Sequence, residues 1–256
     1  METHIEYQNK VKEANKDFFN EIAGTYDAIN ARSHQGMEFN LGRMLKELAV
    51  RAGNQSTLDL CCGTGIVPVY ARRHFRRTYG VDLSSNMLKM AKRYTDVICA
   101  DATQLPFKDC SFNIVTCCGG LHHLYEFQPL FRESFRVIRK GGFLYIDHEI
   151  NKRFMQRYKG AIKCYRDFFG VEKRYLKKNK GLDVAQYRLA EYHSYYETGV
   201  NPQEVAEALS QAGFKEITIN YHCMGAGVVV NFLLSLFRIK STPEFMSPFF
   251  LIVARK

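Results

Sequence analysis

The sequence predicts an α/β protein built on a mostly parallel β-sheet with helices on both faces. Apolar runs of strand length alternate with amphipathic runs of helix length from residue 57 onward. Clusters of glycine and polar residues, such as "CCGTG" and "KGG", separate these runs. Because parallel strands need long crossover connections, this alternation favours a parallel sheet covered by helices.

Seven runs of the sequence are predicted strands. In chain order they are "TLDLC", "TYGVDL", "DVICA", "FNIVTCC", "FLYIDHE", "EITINYH" and "FFLIVAR". Most are rich in β-branched or aromatic residues and are bounded by turn-forming residues. A chain of 256 residues is long enough to bury the core that one such domain requires.

The predicted helices begin and end at recognisable signals. Ser84 or Ser85 is the N-cap of "SSNMLKMAKRY", and "KGG" ends the helix "LFRESFRVIR". Asn201 and Pro202 are the N-cap and first residue of "PQEVAEALSQAG". Residues 6–46 are predicted to be helical with a break over "EIAGTYDAINARSHQG", where glycine, asparagine and serine are typical of a loop.

Composition and targeting features predict a cytoplasmic protein. The first residues are polar and include acids, which is not the pattern of a secretory signal. No apolar run reaches the roughly 18 residues of a membrane span. The eight cysteines show no CxxC motif and no ligand spacing, so we expect reduced thiols and no metal. We interpret the pairs Cys61-Cys62 and Cys117-Cys118 as small packing residues, with a metal or redox role as the alternative.

The formal charge of +10 is concentrated in one segment. Residues 152–180 contain eleven Lys and Arg but only two acids, and the rest of the chain is nearly neutral. A general nucleic-acid-binding surface is therefore not indicated, and we expect no nucleic-acid partner.

The same segment carries an aromatic stripe at helical spacing. Its members are Phe154, Tyr158, Ile162, Tyr165 and Phe169. This spacing predicts a lid helix that packs on the sheet or contacts substrate. Its basic residues could meet an anionic membrane or an anionic substrate, and the alternative is a solvated basic face.

The stretch "LDLCCGTG" is a candidate ligand-binding loop. It lies where a parallel sheet binds ligands, at the carboxyl end of a strand. Gly63 and Gly65 allow backbone to approach a ligand closely. A dinucleotide fingerprint would place a third glycine where Pro68 stands, which disfavours a nicotinamide cofactor.

Three acids follow the first three predicted strands. Asp59 lies beside the glycine loop, and its charge would repel a pyrophosphate. The carboxylate of Asp82 suits the two hydroxyls of a ribose, and that of Asp101 suits an exocyclic amine. This pattern predicts a site for a ligand that combines an amine, a ribose and an adenine.

Four ordered stretches carry a family resemblance. They are "LDLCCGTG", "GVDLSSNMLKMAKR", "CADATQLPFKDCSFNIVTCCGGLHHL" and "ESFRVIRKGGFLYIDHE", preceded by "FFNEIAGTYDAIN". Residues 16–150 resemble class I S-adenosylmethionine-dependent methyltransferases, most of all the ubiquinone/menaquinone-type branch. The resemblance implies a Rossmann-like sheet of seven strands with the last antiparallel, strands one and four adjacent, and a helical lid inserted after strand five.

The resemblance also implies S-adenosylmethionine as the cofactor and a role for each matching residue. The glycine loop and Asp59 would hold the methionine moiety, Asp82 the ribose, and Asp101 the adenine edge. Tyr26 would cover the cofactor from the N-terminal segment. The implied cofactor-binding residues are Tyr26, Asp59, Cys61, Gly63, Thr64, Gly65, Asp82, Leu83, Met87, Asp101, Ala102, Cys118 and Gly119.

Candidate catalytic residues are His123, His148 and Tyr26. His123 follows strand four and His148 follows strand five, so either could act as general base at the methyl-transfer site. Methyl transfer from a sulfonium depends mainly on in-line positioning, so the alternative is that no base is used.

The resemblance implies one methyltransferase domain over residues 1–256. We expect a helical cap at 1–50, a cofactor-binding core at 51–150, a substrate lid at 151–200, and a helix with the last two strands at 201–256. The expected substrate is a small lipophilic or aromatic metabolite, methylated on oxygen, nitrogen or carbon. The alternatives are methylation of a quinone precursor on carbon, or an inactive S-adenosylmethionine-binding regulatory or assembly protein.

Overall fold

A computed structural model describes residues 3–168, 183–195, 198–223 and 241–256 of the chain. The side chains of residues 29–39, 165–168 and 195 are outside this description. The predicted stripe residues Tyr165 and Phe169 therefore fall outside it.

Seven strands form one sheet. Their bounds are β1 Ser56–Leu60, β2 Arg77–Asp82, β3 Asp96–Cys99, β4 Phe112–Cys118, β5 Ile138–Ile150, β6 Lys215–His222 and β7 Phe249–Arg255. The strand order is β3-β2-β1-β4-β5-β7-β6. β1 pairs with both β2 and β4 in parallel, and only β7 runs antiparallel to its neighbours β5 and β6. The predicted sheet, its antiparallel last strand and the adjacency of strands one and four are confirmed.

β5 begins earlier than predicted. The preceding helix ends at Val137, and strand pairing with β4 starts at Ile138. A register irregularity in β4 separates this first pair from the rest. Gly142 is required in this stretch because a Cβ there would collide with the carbonyl oxygen of Asn113.

The helices connect and flank these strands. Their bounds are α1 His4–Ala52, α2 Ile66–Ala71, α3 Ser85–Ala91, α4 Gln128–Val137, α5 Lys152–Arg157, α6 Lys159–Phe168, α7 Val184–Ala190, α8 Tyr192–Tyr195 and α9 Pro202–Gln211. The predicted N-caps Ser84 and Asn201 both accept a backbone N–H of the following turn. Among the described residues, no helix combines the length and apolar character needed to cross a bilayer.

The predicted break in the N-terminal helix is wrong. α1 continues through Gly24 and the following loop-like residues as one helix of 49 residues, started by a capping box between Thr3 and Glu6. Its buried side chains lie on both sides of the expected break, including Phe18 and Leu45, and Ile22 within the break is buried as well. Packing on either side of the break therefore outweighs the weak local preference for a loop.

Helices cover both faces of the sheet. On one face, α4 and α9 pack Phe131 and Leu209 against strand residues such as Val115 and Ile146. On the other, α1 and α2 pack a second cluster that includes Leu45, Leu48, Val67, Ile114 and Tyr145. These two apolar layers hold the carboxyl ends of the central strands in fixed positions.

The described part of the predicted lid is helical. α5 and α6 follow β5 directly and are separated by Tyr158, whose backbone is not helical. Phe154, Tyr158 and Ile162 are half-buried, whereas Lys159 and Lys163 are exposed. α7 packs along α1 and places Tyr187 against Phe18.

Candidate active site

A cavity of about 400 Å³ opens at the carboxyl ends of the central strands, beneath α1. Most of the residues predicted for the site line it. They are Tyr26, Cys61, Gly63, Thr64, Asp82, Leu83, Met87, Asp101, Ala102, Cys118, Gly119, His123 and His148. Asp59 and Gly65 do not line it.

The glycine loop is held in an unusual backbone conformation. Cys61, Gly63 and Gly65 have φ angles of 53°, 52° and 92°, in the left-handed region. No atom lies within 4 Å of where a Cβ on Gly63 would stand, so that position is open. A Cβ on Gly65 would instead lie 3.1 Å from Ala91, so Gly65 is needed for packing against α3.

Asp82 anchors the loop and still faces the cavity. Its Oδ2 accepts the N–H of Gly63 at 2.9 Å, and its Oδ1 accepts the N–H of Ser84 at 2.8 Å. Burial raises the pKa of Asp82, and the backbone hydrogen bonds oppose that rise. Each carboxylate oxygen retains lone pairs for a further donor.

Asp59 lies behind the loop rather than in the cavity wall. It is 3% exposed, and its Oδ1 accepts the hydroxyl of Thr116 at 2.6 Å. Burial raises the pKa of Asp59 to about 8, with a further contribution from the charge of Asp82. Asp59 is therefore mostly protonated at neutral pH, unlike the charged carboxylate that the sequence suggested.

Asp101 is already paired in this structure. Its Oδ2 lies 2.5 Å from Nζ of Lys12 on α1, and its Oδ1 accepts the N–H and hydroxyl of Thr103. Although burial acts in the opposite direction, these contacts lower the pKa of Asp101. A ligand amine at this edge would have to share the carboxylate with Lys12.

α1 is fastened over the cavity by side-chain hydrogen bonds. Oδ1 of Asn20 accepts the hydroxyl of Ser84 at 2.8 Å and the N–H of Asn86 at 3.1 Å. The hydroxyl of Thr64 donates to Asp27 at 2.6 Å. Through these contacts the N-terminal helix completes one wall of the cavity.

Two adjacent histidines that follow β4 have pKa values shifted in opposite directions. Nδ1 of His122 lies 3.0 Å from Oε2 of Glu149, and although burial opposes it, the Glu149 charge raises the pKa of His122. Nδ1 of His123 donates to the carbonyl of Ala190 at 2.8 Å. Burial and the neighbouring His122 lower the pKa of His123 to about 4. His123 is therefore neutral at neutral pH, with Nε2 as its hydrogen-bond acceptor.

Glu149 is the main functional-site residue that sequence reasoning missed. It is fully buried, and its carboxylate accepts the N–H groups of Gly120, Leu121 and His122. Burial raises its pKa, but His122 and these donors overcome that effect and lower it. An acid at the end of the run "FLYIDHE" was the available signal.

His148 lies in a separate polar group. It has a φ of 57° and follows Asp147, whose carboxylate contacts His222 and the hydroxyl of Tyr145. Burial acts to raise the pKa of Asp147, but His148 and His222 hold it well below its usual range. His148 therefore faces the cavity as part of a buried network rather than as an isolated base.

The adjacent cysteine pairs gather at the junction of β1 and β4. Cys62 and Cys117 are buried, and burial raises the pKa of the Cys62 thiol. A contact with Cys61 and burial raise the pKa of Cys117 in the same way. Protonated, buried thiols are suited to packing.

The cavity suits S-adenosylmethionine in shape and in donor chemistry. The open position at Gly63 leaves room beside the loop, and Asp82 offers two acceptor oxygens at the cavity wall. Apolar side chains of Phe19, Tyr26 and Met87 lie nearby for an adenine ring. The residues present therefore fit this group.

Comparisons with known proteins identify the family. The fold and cavity are those of a Rossmann-like cofactor-binding protein, and a methyltransferase domain model matches residues 58–146. The chain is 33% identical over 172 residues to demethylmenaquinone methyltransferase of Staphylococcus saprophyticus, covering 62% of this chain and 73% of that protein. It is 30% identical to the enzyme of the same name from Thermotoga maritima, covering 80% of this chain and 90% of that protein.

A solved structure supports the fold. A possible histamine N-methyltransferase from Thermotoga maritima matches with a TM-score of 0.59 and 16% identity, over 94% of this chain and 99% of that one. This chain belongs to the class I S-adenosylmethionine-dependent methyltransferases, in the ubiquinone/menaquinone-type branch. It is a methyltransferase, and its cofactor is S-adenosylmethionine.

Proposed function

We propose that this protein methylates a ring carbon of a small, lipophilic, hydroxylated aromatic molecule of the quinol class. The observation that carries the proposal is the cavity itself, whose walls combine aromatic side chains such as Phe19, Tyr187 and Phe249 with a neutral histidine. Relatives named demethylmenaquinone methyltransferases support the same acceptor chemistry.

The residues at the strand ends would hold the cofactor. Asp82 accepts the ribose hydroxyls, while Leu83 and Met87 pack beside the adenine and Ala102 and Asp101 meet its edge. The loop from Cys61 to Thr64, with backbone of Cys118 and Gly119, holds the amino-acid end, and Tyr26 covers it. When bound, S-adenosylmethionine would supply an electrophilic methyl group on a sulfonium: the sulfur–methyl bond would break as the bond to the ring carbon forms, leaving S-adenosylhomocysteine, and the ring carbon would lose its proton to solvent.

Asp59 acts on this site from behind the loop. Its protonated carboxyl is held by Thr116, so the loop rests on a neutral group when the site is free. A nearby positive charge stabilises the ionised form of an acid. Asp59 therefore favours a cationic ligand over a neutral one at this position.

His123 positions the acceptor. Its Nδ1–H is engaged by Ala190, so Nε2 carries the free lone pair and accepts a hydrogen bond from a ring hydroxyl. This hydrogen bond polarises the O–H bond of the acceptor and so raises the electron density on its ring carbons. Because the pKa of His123 is only about 4, the residue orients the hydroxyl and does not fully remove its proton.

Glu149 and His122 set the geometry of His123. Glu149 binds the backbone of residues 120–122 and the ring of His122, and the His122 ring centroid lies 4.0 Å from that of His123. The pair of Glu149 and His122 is buried and hydrogen-bonded, so it fixes the turn that carries both histidines.

An acceptor panel tests the proposal. The protein is incubated with methyl-labelled S-adenosylmethionine and a reduced naphthoquinol with an unsubstituted ring carbon, a simple phenol, or an alkylamine. We expect label on the ring carbon of the naphthoquinol, located by mass spectrometry of the product. Transfer only to the amine, or only to a hydroxyl oxygen, would overturn the assignment.

We also propose that α5 and α6 approach an anionic membrane surface, where a lipophilic acceptor would dissolve. Arg153, Arg157, Lys159 and Lys163 are exposed beside the half-buried Phe154, Tyr158 and Ile162. A helix with a basic face beside an aromatic one is suited to the membrane interface.

A further inference from the structure

Three potential metal-ligand side chains lie together behind the cavity. Asp147 and His148 are consecutive residues of β5, and His222 is the last residue of β6. β7 lies between these strands, and the ring of its Phe249 is near both histidine rings. The three residues therefore meet at one end of the sheet, although His222 is 75 positions from Asp147 in the chain.

A bulge in β5 creates this arrangement. The pairing of β5 with β7 shifts register between Ile146 and Glu149, which leaves Asp147 and His148 without partners on β7. His148 takes a φ of 57°, an uncommon conformation for a residue with a side chain. Bulges often redirect side chains toward a functional site.

The ligand atoms are close and converge on one carboxylate. Oδ1 of Asp147 lies 2.8 Å from Nε2 of His222 and 3.1 Å from Nδ1 of His148. Each residue contributes one ligand atom to a set that lies within 4.8 Å of one another. The hydroxyl of Tyr145 donates to the second oxygen, Oδ2, and so fixes the plane of the carboxylate.

The carboxylate of Asp147 is well supplied with donors, since its Oδ1 also accepts the backbone N–H of His148 at 2.6 Å, but three ring nitrogens of the group are not. His148 is 8% exposed and His222 is 2% exposed. Neither ring nitrogen of His148, nor Nδ1 of His222, has a hydrogen-bond partner within the described part of the chain. The 3.1 Å approach of His148 to Asp147 is thus close but poorly aligned for a hydrogen bond, and buried nitrogens without partners are costly.

We propose that Asp147, His148 and His222 bind a zinc ion. Two imidazole nitrogens and one carboxylate oxygen are the ligands of zinc sites that keep an open fourth position. Ligand atoms on a tetrahedral zinc stand about 3.3 Å apart, close to the separations at Asp147. Tyr145 supplies the outer hydrogen bond that orients the carboxylate.

The site would adjoin the methyl-transfer cavity. His148 lines the cavity, whereas Asp147 and His222 lie behind it. The fourth position on the metal is thus available to a water molecule or to an oxygen of a molecule in the cavity. This site is independent of the acceptor proposed above.

The second group of this kind, His122, His123 and Glu191, is less suited to a metal. Nδ1 of His122 is taken by Glu149, and Nδ1 of His123 donates to Ala190. Each of these two histidines has one ring nitrogen engaged, whereas both ring nitrogens of His148 lack a hydrogen-bond partner within the described part of the chain. It serves as the internal comparison in the test.

Zinc binding to the metal-free full chain tests the proposal. The chain is stripped with a chelator and titrated with Zn²⁺ alone by calorimetry, and with Co²⁺ followed by visible absorption. We expect one equivalent of zinc, and a tetrahedral Co²⁺ spectrum without the near-ultraviolet band of thiolate ligands. His148→Gln and His222→Gln should each weaken binding at least about tenfold, whereas His74→Gln and His122→Gln should not.

Several outcomes would overturn the site. These are no stoichiometric zinc, a thiolate band in the Co²⁺ spectrum, or binding lost in His122→Gln but kept in His148→Gln. Thermal unfolding of each metal-free variant checks its fold. If His222→Gln does not fold, the cavity-lining variant His148→Gln decides the question.

Discussion

At the scale of single residues, Asp59 shows how burial changes the chemistry of a motif. Its carboxyl group follows a strand, as the sequence suggests, but it is shielded from solvent and held by Thr116. The unfolded chain releases this proton near pH 4, whereas the folded chain holds it to about pH 8. The native state therefore binds more protons between these limits.

This difference makes a prediction for Asp59→Asn. In the wild type, the contribution of Asp59 to the free energy of unfolding is fully present below about pH 4. It is lost as the pH rises toward about 8, by up to about 1.4 kcal/mol per pH unit. The asparagine of the variant does not titrate, so the variant lacks this contribution. Its free energy of unfolding, measured in urea from pH 5 to 8, should rise relative to wild type as pH increases. Parallel profiles would show that Asp59 is ionised in the folded protein.

A second residue-scale prediction concerns His123. His123→Ala should lower turnover by roughly 10²-fold while the Kd for S-adenosylmethionine stays nearly unchanged, because in the proposed function the imidazole contacts the acceptor and not the cofactor. His123→Gln keeps an acceptor atom and should recover part of the lost rate. Above about pH 5 the wild-type rate should not vary through protonation of His123, since the pKa of His123 is about 4. His74→Ala is the control, and a loss of cofactor binding in His123→Ala would make the residue structural.

At the scale of elements, α1 marks the limit of local sequence reasoning. Gly24 and the polar residues after it are typical of a loop, yet the helix continues because its ends pack against the sheet, α3 and α7. Such packing between distant segments leaves no local signal. The ion pair of Lys12 with Asp101 and the hydrogen bond of Asn20 with Ser84 at the start of α3 also join distant segments, so neither has a local sequence signal.

The packing of α1 predicts unequal effects of two neighbouring substitutions. Leu48 is fully buried against the sheet, whereas Val50 is 81% exposed. Leu48→Ala should lower the free energy of unfolding by about 2–5 kcal/mol, and Val50→Ala by less than about 0.5 kcal/mol. Chemical denaturation measures both. Equal effects would mean that this part of α1 does not pack as described.

The basic helices after β5 make a prediction about membranes. Each Lys near an anionic bilayer contributes about 1 kcal/mol, and the attraction is screened over roughly 8 Å at physiological salt. The wild-type protein should sediment with anionic vesicles at low salt, and a smaller fraction of it should sediment with them at high salt. The Lys159→Glu/Lys163→Glu variant should bind weakly, whereas Lys46→Glu/Lys215→Glu, with the same change of charge, should bind like wild type.

Neutral vesicles provide the second comparison for this surface. Binding that is equal with neutral and anionic vesicles would exclude an electrostatic contact. Absence of binding to anionic vesicles at low salt would leave α5 and α6 as a solvated basic surface.

At the scale of the whole molecule, the sheet was the most predictable feature. Apolar runs such as "FNIVTCC" and acids at strand ends follow from the period and placement of residues, so the seven strands and the position of Asp82 could be read from them. The family resemblance carried by the ordered motifs supplied the adjacency of strands one and four and the antiparallel last strand. The protonation of Asp59 and the buried role of Glu149 could not be read, because each depends on several elements packing together.

The whole-molecule claim is that the cavity at the carboxyl ends of the strands binds S-adenosylmethionine through Asp82. Each charge-assisted hydrogen bond to Asp82 is worth about 1.5–3 kcal/mol at most. Asp82→Ala should therefore weaken binding by roughly tenfold or more. Asp96→Ala removes the same charge from an exposed position on β3 and is the matched control.

The most direct measurement is calorimetric titration of the wild-type chain with S-adenosylmethionine, S-adenosylhomocysteine and NAD. We predict saturable binding of both sulfur ligands at one site, weak or absent binding of NAD, a clear loss in Asp82→Ala, and no loss in Asp96→Ala. Undetectable binding of both sulfur ligands by the wild type, or binding of NAD with equal affinity, would contradict the account.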